Sequence, residues 1–197
     1  MKESIKLVVV LTIICTIAGA LLAVVKDVTS ESMQAAAQKE KNDAIKKVLP
    51  TCDNDPVADA IALDVNGIVW TFFVARDSNG FLGAAFESTS SKGYGGDIAI
   101  MVGVNANGTV QAVEVLSHKE TPGLGAWISG EAFRSQFVGR SIADTSWAVA
   151  KDGGDIDQIT AATISSRAVT EAVKAGLDIY TAHPKSFSHI SAKGAPQ

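Results

Sequence analysis

A chain of 197 residues, 47% of them apolar, has material for one ordinary domain and an appendage, and not comfortably for two. Its net charge of −4, with no basic cluster interleaved with aromatics, argues against nucleic acid as a partner. Cys15 and Cys52 lie in stretches of very different character and outside any CxxC. His118, His183 and His189 show no ligand spacing with carboxylates, so neither a disulfide nor a metal site is expected.

Leu7 to Val25 is an uninterrupted uncharged run of mostly Leu, Val, Ile and Ala, and about twenty such residues span a bilayer as a helix. Lys2 and Lys6 precede it, and Asp27 and Glu31 follow, so the positive-inside tendency puts the N-terminus in the cytoplasm and the remainder outside. The competing reading is a cleaved signal peptide. Against it, the run exceeds the roughly 7–15 residues of a signal h-region, and no clear A-x-A site follows promptly. Residues 1–26 are therefore expected to be a cytoplasmic N-terminus and an uncleaved transmembrane anchor, with Cys15 as a small apolar residue within it.

Residues 27–56 read as a juxtamembrane neck. Ser30 to Leu49 is rich in Ala, Gln, Lys and Glu, and Pro50 stops the helix they predict. Its apolar face is thin (Ala37, Ala44, Ile45, Val48), and a stalk is not distinguished from a docking helix for a specific partner.

From Val57 to His183 the pattern predicts one α+β domain. Ile68–Arg76, the Asn79-Gly80 turn and Phe81–Phe86 predict one hairpin. Ile98–Val104, a turn ending in Asn107-Gly108 and Thr109–Leu116 predict a second. Between them, Gly93-Tyr94-Gly95-Gly96 is either a flexible connection or a place where backbone approaches a flat ligand. The loop Ser117–Gly125 contains Pro122 followed by Gly-Leu-Gly, which specifies a tight turn. Ala126–Phe137 is expected as a short amphipathic helix with Trp127, Ile128, Phe133 and Phe137 on its apolar side. A further strand is expected at Ser146–Ala150, before Lys151-Asp152-Gly153-Gly154. The last stretch, 184–197, reads as a flexible tail.

Asp157 to Tyr180 organises the domain. From Thr163 it is an amphipathic helix: Arg167, Glu171, Lys174 and Asp178 make a polar stripe. Ile164, Ala168, Ala172, Ala175 and Ile179 line another face, beside Val169, Val173 and Tyr180. Before and across its start the side chains are small or hydroxylic (Thr160, Ala161, Ala162, Thr163, Ser165, Ser166). A helix N-terminus suits a phosphate, because its N–H groups are unpaired and the dipole is positive there. The alternative is that Thr160 or Thr163 merely caps the helix.

Asp157, Thr160, Ala162 and Thr163 fit the Asp-x-x-Ser/Thr-x-Ala-Thr pattern of proteins that carry FMN covalently. The usual Gly of that pattern is here Ala161, whose methyl disfavours positive φ. Together with GYGGDI at Gly93–Ile98 and HKETPGLG at His118–Gly125, and in the same order after an N-terminal anchor, the run resembles the G component of the Rnf complex. That complex is the membrane-bound ferredoxin:NAD oxidoreductase that moves ions. A shorter version resembles the C component of the sodium-pumping NADH:quinone reductase.

The resemblance implies an FMN-bearing electron carrier on the outer face of the cytoplasmic membrane. Its partners would be membrane lipid, the other components of the Rnf complex (a membrane flavoprotein included) and a flavin transferase. The transferase would join the FMN phosphate to the hydroxyl of Thr163. No stand-alone substrate turnover is expected, and nothing here looks like a site for ferredoxin or NAD, since there is no GxGxxG after a strand and no cysteine cluster. The Glu120–Gly125 loop would pack on the isoalloxazine. Leu124 would supply an apolar contact, Gly123 and Gly125 would admit backbone N–H groups to the ring edge, and Thr121 and Glu120 would hydrogen-bond it. Glu120 as a solvated loop charge is the competing reading. Lys151 either places a positive charge near the flavin or is an exposed lysine beside a Gly turn. Tyr94 and Trp127 either stack near the ring or belong to the core. His118 either shapes its loop or orients Glu120. Two other functions stay open: the flavin carrier of a quinone-reducing pump or an independent tethered flavoprotein, and a flavin-free membrane scaffold.

Overall fold

A computed structural model describes residues 2–188. The chain divides into two compact units, 1–40 and 41–197. Helix α1 runs without a break from Lys2 to Val48. Among the described residues it is the one helix long and apolar enough to cross a membrane. Leu7, Leu11, Ile14, Leu21 and Leu22 each stand more than half exposed on it, an apolar surface of the length a bilayer core takes.

The second unit is built on a five-stranded antiparallel meander in the order β1-β2-β3-β4-β5: β1 Ile61–Val65, β2 Ile68–Asp77, β3 Gly80–Ser90, β4 Ile98–Asn105 and β5 Val110–Ser117. Both predicted hairpins form. In the β2–β3 turn, the Asp77 carboxylate accepts the N–H groups of Asn79 (2.7 Å) and Gly80 (3.0 Å). In the β4–β5 turn, Gly108 sits at φ +83° and the Asn107 side chain accepts the N–H of Thr109. A third hairpin, β1–β2, turns on Asn66 and Gly67 at φ +56° and +80°. That Asn-Gly pair is the usual two-residue turn signal, and the short β1 beside it escaped the sequence reading.

Strand alternation sends side chains to two cores. One face carries Phe72, Ala84, Phe86, Ile98, Ile100, Val102 and Val104, all with no solvent exposure, and is covered by helix α3 (Thr163–Ala182). The opposite face, with Phe73, Ala75, Ala85 and Met101, is covered by the last turns of α1 through Ala44, Ile45 and Val48. Gly103 of β4 makes that second contact possible, because a Cβ there would fall 1.9 Å from the Val48 carbonyl oxygen. Ala37 of the predicted apolar stripe is exposed. Cys52 packs beside this second core, and burial, together with Asp53 and Asp55, pushes its thiol pKa up, which makes it less reactive.

Three expectations change. The helix expected at Ala126–Phe137 is broken into a 3₁₀ turn (Gly125–Ser129), the single-turn helix α2 (Glu131–Arg134) and a second 3₁₀ turn (Ser135–Phe137). Gly130 interrupts it with extended backbone at ψ 143°. Ile128, Phe133 and Phe137 are buried as expected, but Trp127 is 61% exposed. The strand expected at Ser146–Ala150 is reduced to one parallel bridge, Val149 with Ile156, followed by a 3₁₀ turn at Ala150–Asp152. The apolar content that suggested a strand serves packing instead: Trp147 stacks on Phe137 and its indole N–H donates to the Ser141 carbonyl at 3.0 Å.

The third change is at the end of the domain. The described chain continues past His183 into helix α4 (Pro184–Ser188), where Phe187 is buried against Phe72 and Tyr180. The remainder of the expected tail, with His189, lies outside the described residues.

Candidate functional site

Helix α3 starts without a side-chain cap. Ala162 occupies the cap position with φ −131° and ψ 40°, and no acidic residue lies in the first turn. Neither Thr160 nor Thr163 caps it, so the first-turn N–H groups and the positive end of the dipole are left facing outward. They face a cleft of about 550 Å³ lined by Tyr94, Glu120, Thr121, Leu124, Gly125, Ala161, Ala162, Thr163, Ile164 and Ser165. The three sequence runs, far apart along the chain, thus converge on one place.

Eight of the thirteen residues singled out from the sequence line this cleft: Tyr94, Glu120, Thr121, Leu124, Gly125, Ala162, Thr163 and Ser165. Five do not. Thr160 and Asp157 are exposed outside it, with the Asp157 N–H donating to the Gln136 side chain at 2.8 Å. Gly123 is the left-handed residue of the loop turn, at φ +77°. Ser166 is buried behind the cleft, where its hydroxyl donates to the Ala162 carbonyl and accepts the Ile159 N–H, both at 3.0 Å. Lys151 is an exposed lysine, its N–H donating to the Gln158 side chain. Beside it Asp152 pairs with Arg167 of α3. That guanidinium holds the Asp152 carboxyl below the usual range.

Ala161 joins the cleft as one of the small residues before α3, and Ile164 joins it against expectation. Periodicity assigned Ile164 to the packed face, yet it is 47% exposed. The buried face of α3 is rotated toward Ser165, Val169, Val173, Gly176 and Leu177. Two hydrophilic residues on that face concealed the rotation: Ser165 donates to Glu120, and Thr170 donates to the Ser166 carbonyl at 2.8 Å.

Ala161 has φ +61°, the left-handed conformation its methyl disfavours. Ala161→Gly is therefore expected to raise stability by about 0.5–1 kcal/mol, once the greater freedom of glycine in the unfolded chain is set against the relief. A thermal melt of the two proteins in the same detergent checks this. An unchanged or lower melting temperature would show that the methyl is supported by its surroundings.

Glu120 is not a solvated loop charge. It is 5% exposed, with one carboxylate oxygen accepting the Gly95 N–H at 3.0 Å and the other accepting the Ser165 hydroxyl at 2.5 Å. His118 shapes the loop: its Nδ1 accepts the Glu120 N–H at 3.1 Å. The turn that follows closes on the Thr121 carbonyl, which accepts the N–H groups of Leu124 and Ala126. Leu124 at this turn and Tyr94 in the 93–96 loop stand at the cleft 45% and 73% exposed.

Residues 93–178, a span that includes every lining residue, match the FMN-binding domain family. The chain is 33% identical over 183 residues to the G component of an ion-translocating oxidoreductase complex from Methanosarcina acetivorans, covering 92% of this chain and 96% of that one. It is 35% identical to the protein of the same name from Salmonella typhimurium, covering 88% and 89%. Among solved structures, the fold resembles the C component of the Na(+)-translocating NADH-quinone reductase from Parabacteroides distasonis. The TM-score is 0.58 at 21% identity, over 77% of this chain and 94% of that one, a likeness of fold alone. With a third of its residues shared over nearly its whole length, the chain belongs to the family of G components of ion-translocating oxidoreductase complexes.

Proposed function

We propose that this protein is the FMN-bearing electron-transfer subunit of an Rnf complex, in which electron flow between ferredoxin and NAD drives ion translocation, and that the cofactor is joined through its phosphate to the hydroxyl of Thr163. The observation that carries the reading is the half-buried Thr163 at an uncapped helix start, lining a cleft inside the span that matches the FMN-binding family.

The residues present fit FMN. First-turn N–H groups of α3 and the small Ala161 and Ala162 suit a phosphate, and Leu124, Ile164 and Tyr94 suit a flat apolar ring. Thr121 and the Gly125 backbone, which line the cleft, would serve the polar edge of such a ring. The helix dipole favours a phosphate charge by about 0.3–1 kcal/mol, up to about 2 if partly buried, too little to retain a cofactor by itself. A covalent bond made by a flavin transferase retains it. When bound, FMN supplies reversible electron uptake and release, and the chain holds it, orients it and limits water at its apolar side.

In this reading residues 1–26 anchor the chain as a single pass with the N-terminus in the cytoplasm, 27–56 form the neck, and 57–183 hold the flavin on the extracytoplasmic side. The other components of the complex are its partners. Intact mass of the protein purified from its native membrane tests the reading. An unprocessed chain carrying one FMN adduct, recovered with companion proteins of the complex, is the expected result. Colourless protein with an unmodified peptide spanning Thr163 would overturn it.

A further inference from the structure

The cleft is assembled from three segments distant in sequence, and one buried side chain touches all three. Glu120 belongs to the loop 118–125. Its carboxylate accepts the Gly95 N–H from the loop 93–96 and the Ser165 hydroxyl from the first turn of α3. The surroundings leave no slack. A Cβ at Gly125 would fall 2.5 Å from one carboxylate oxygen and 2.7 Å from the Ser165 hydroxyl, and a Cβ at Gly93 would fall 2.7 Å from the other oxygen. A Cβ at Gly95 would fall 1.9 Å from the Lys119 carbonyl oxygen. Three glycines thus pack around one carboxylate and its backbone. Ser165 is 1% exposed, so its hydroxyl has no bulk water beside it to replace the carboxylate if that is removed.

We propose that Glu120 is a positioning residue: its carboxylate ties the Gly95 loop and the 120–125 loop to the start of α3, and so sets the shape of the cleft into which Thr163 presents its hydroxyl. The role follows from bond directions. An ionised carboxylate accepts on both oxygens and donates on neither, which matches one N–H and one hydroxyl placed on opposite sides of it. Thr163 and Ser165 are two residues apart on one helical turn, so fixing the Ser165 hydroxyl fixes the orientation of that turn. The turn that carries Leu124 is closed by the next residue, through the Thr121 carbonyl.

The inference rests on the proposed FMN attachment only for what the cleft holds, and its test separates the two. Full-length Glu120→Ala, Glu120→Gln and Ser165→Ala are made in the wild-type chain and in a Thr163→Ala background that carries no attached flavin. Amide hydrogen exchange is then followed in segments 93–96, 120–125 and 162–166. In the flavin-free background, Glu120→Ala is expected to speed exchange in all three by about tenfold or more, with the β4 core unchanged. Glu120→Gln is expected to rescue most of this. Its amide oxygen can accept from Gly95 while its N–H donates to Ser165, whose hydroxyl turns to accept.

In flavin-loaded protein, Glu120→Ala and Ser165→Ala are expected to alter the visible circular dichroism of the bound flavin, and Glu120→Gln to preserve its shape. If Glu120→Ala does not fold, Ser165→Ala carries the test, since it severs the tie to α3 and leaves the Gly95 bond. Unchanged exchange in all three segments on breaking either bond would overturn the proposal, whatever the flavin content. Changed exchange in a native preparation that never carries flavin would leave it standing and remove the proposed attachment instead.

Discussion

Thr163→Ala is expected to fold and melt as the wild type does while carrying no flavin through denaturing electrophoresis. The reason is a division of labour at the start of α3. No side chain caps the helix there, and among the described residues the Thr163 hydroxyl has no hydrogen-bond partner in the protein, so removing it leaves nothing unpaired. Alanine is also the better helix former, and the change in stability should stay within about 0.5 kcal/mol. The loss falls on the attached cofactor, and it is total because an ester needs its oxygen. Thr51→Ala is the control. Thr51 is exposed and lies outside both the cleft and the attachment pattern, so that protein should keep its in-gel fluorescence. Fluorescence that persists in Thr163→Ala would move the attachment to another residue.

The second large effect lies behind the site, where α3 meets the sheet. Gly176→Ala is expected to destabilise the protein by about 2 kcal/mol or more, although alanine favours a helix by about 1 kcal/mol. A Cβ at Gly176 would fall 1.8 Å from Cε2 of Phe86. The Phe86 ring has no exposure and is held at 5.5 Å by Phe72 and at 6.1 Å by Trp70, so it cannot withdraw. The helix cannot rise freely either: the Ser88 hydroxyl donates to the Ala172 carbonyl at 2.9 Å and ties it to β3. Overpacking therefore outweighs propensity.

The neighbouring Ala175 separates the two effects. It is exposed, and Ala175→Gly should cost only the propensity difference of about 1 kcal/mol. For a chain of this size, a 2 kcal/mol loss lowers the melting temperature by on the order of 4–8 °C. Phe86→Leu combined with Gly176→Ala should recover part of that loss, because the smaller side chain vacates the space. A Gly176→Ala protein as stable as wild type would mean that the helix–sheet contact is looser than these distances.

Local signals carried much of the structure into the sequence. The uncharged run from Leu7 to Val25 is a continuous helix because nothing in it breaks one, and its apolar surface is a property of composition alone. Asn79-Gly80 and Asn107-Gly108 made two hairpins legible, because a turn with positive φ needs such residues. Helix α3 was legible from its first residue, because the charges of its outer stripe recur at helical spacing. The three runs that build the cleft could be named in advance as parts of one site only through the resemblance to the Rnf G component.

What the sequence left undecided were matters of neighbourhood. Glu120 has the composition of a surface loop charge, and only the glycines folded around it and the Ser165 hydroxyl across from it make it buried. Lys151 and Trp127 each had an alternative reading that residue type could not remove, an exposed lysine and a core aromatic, and the fold leaves both outside the cleft. The stretch Ser146–Ala150 had strand composition, but a strand needs a partner edge, and among the described residues it finds only the single bridge from Val149 to Ile156. Periodicity and turn chemistry act over a few residues, so the chain by itself determined its long apolar helix, its hairpins and the hydroxyl at the head of α3. Burial and hydrogen-bond pairing are settled between segments distant in sequence, so which side chains surround that hydroxyl was decided only when the sheet and the helix closed on each other.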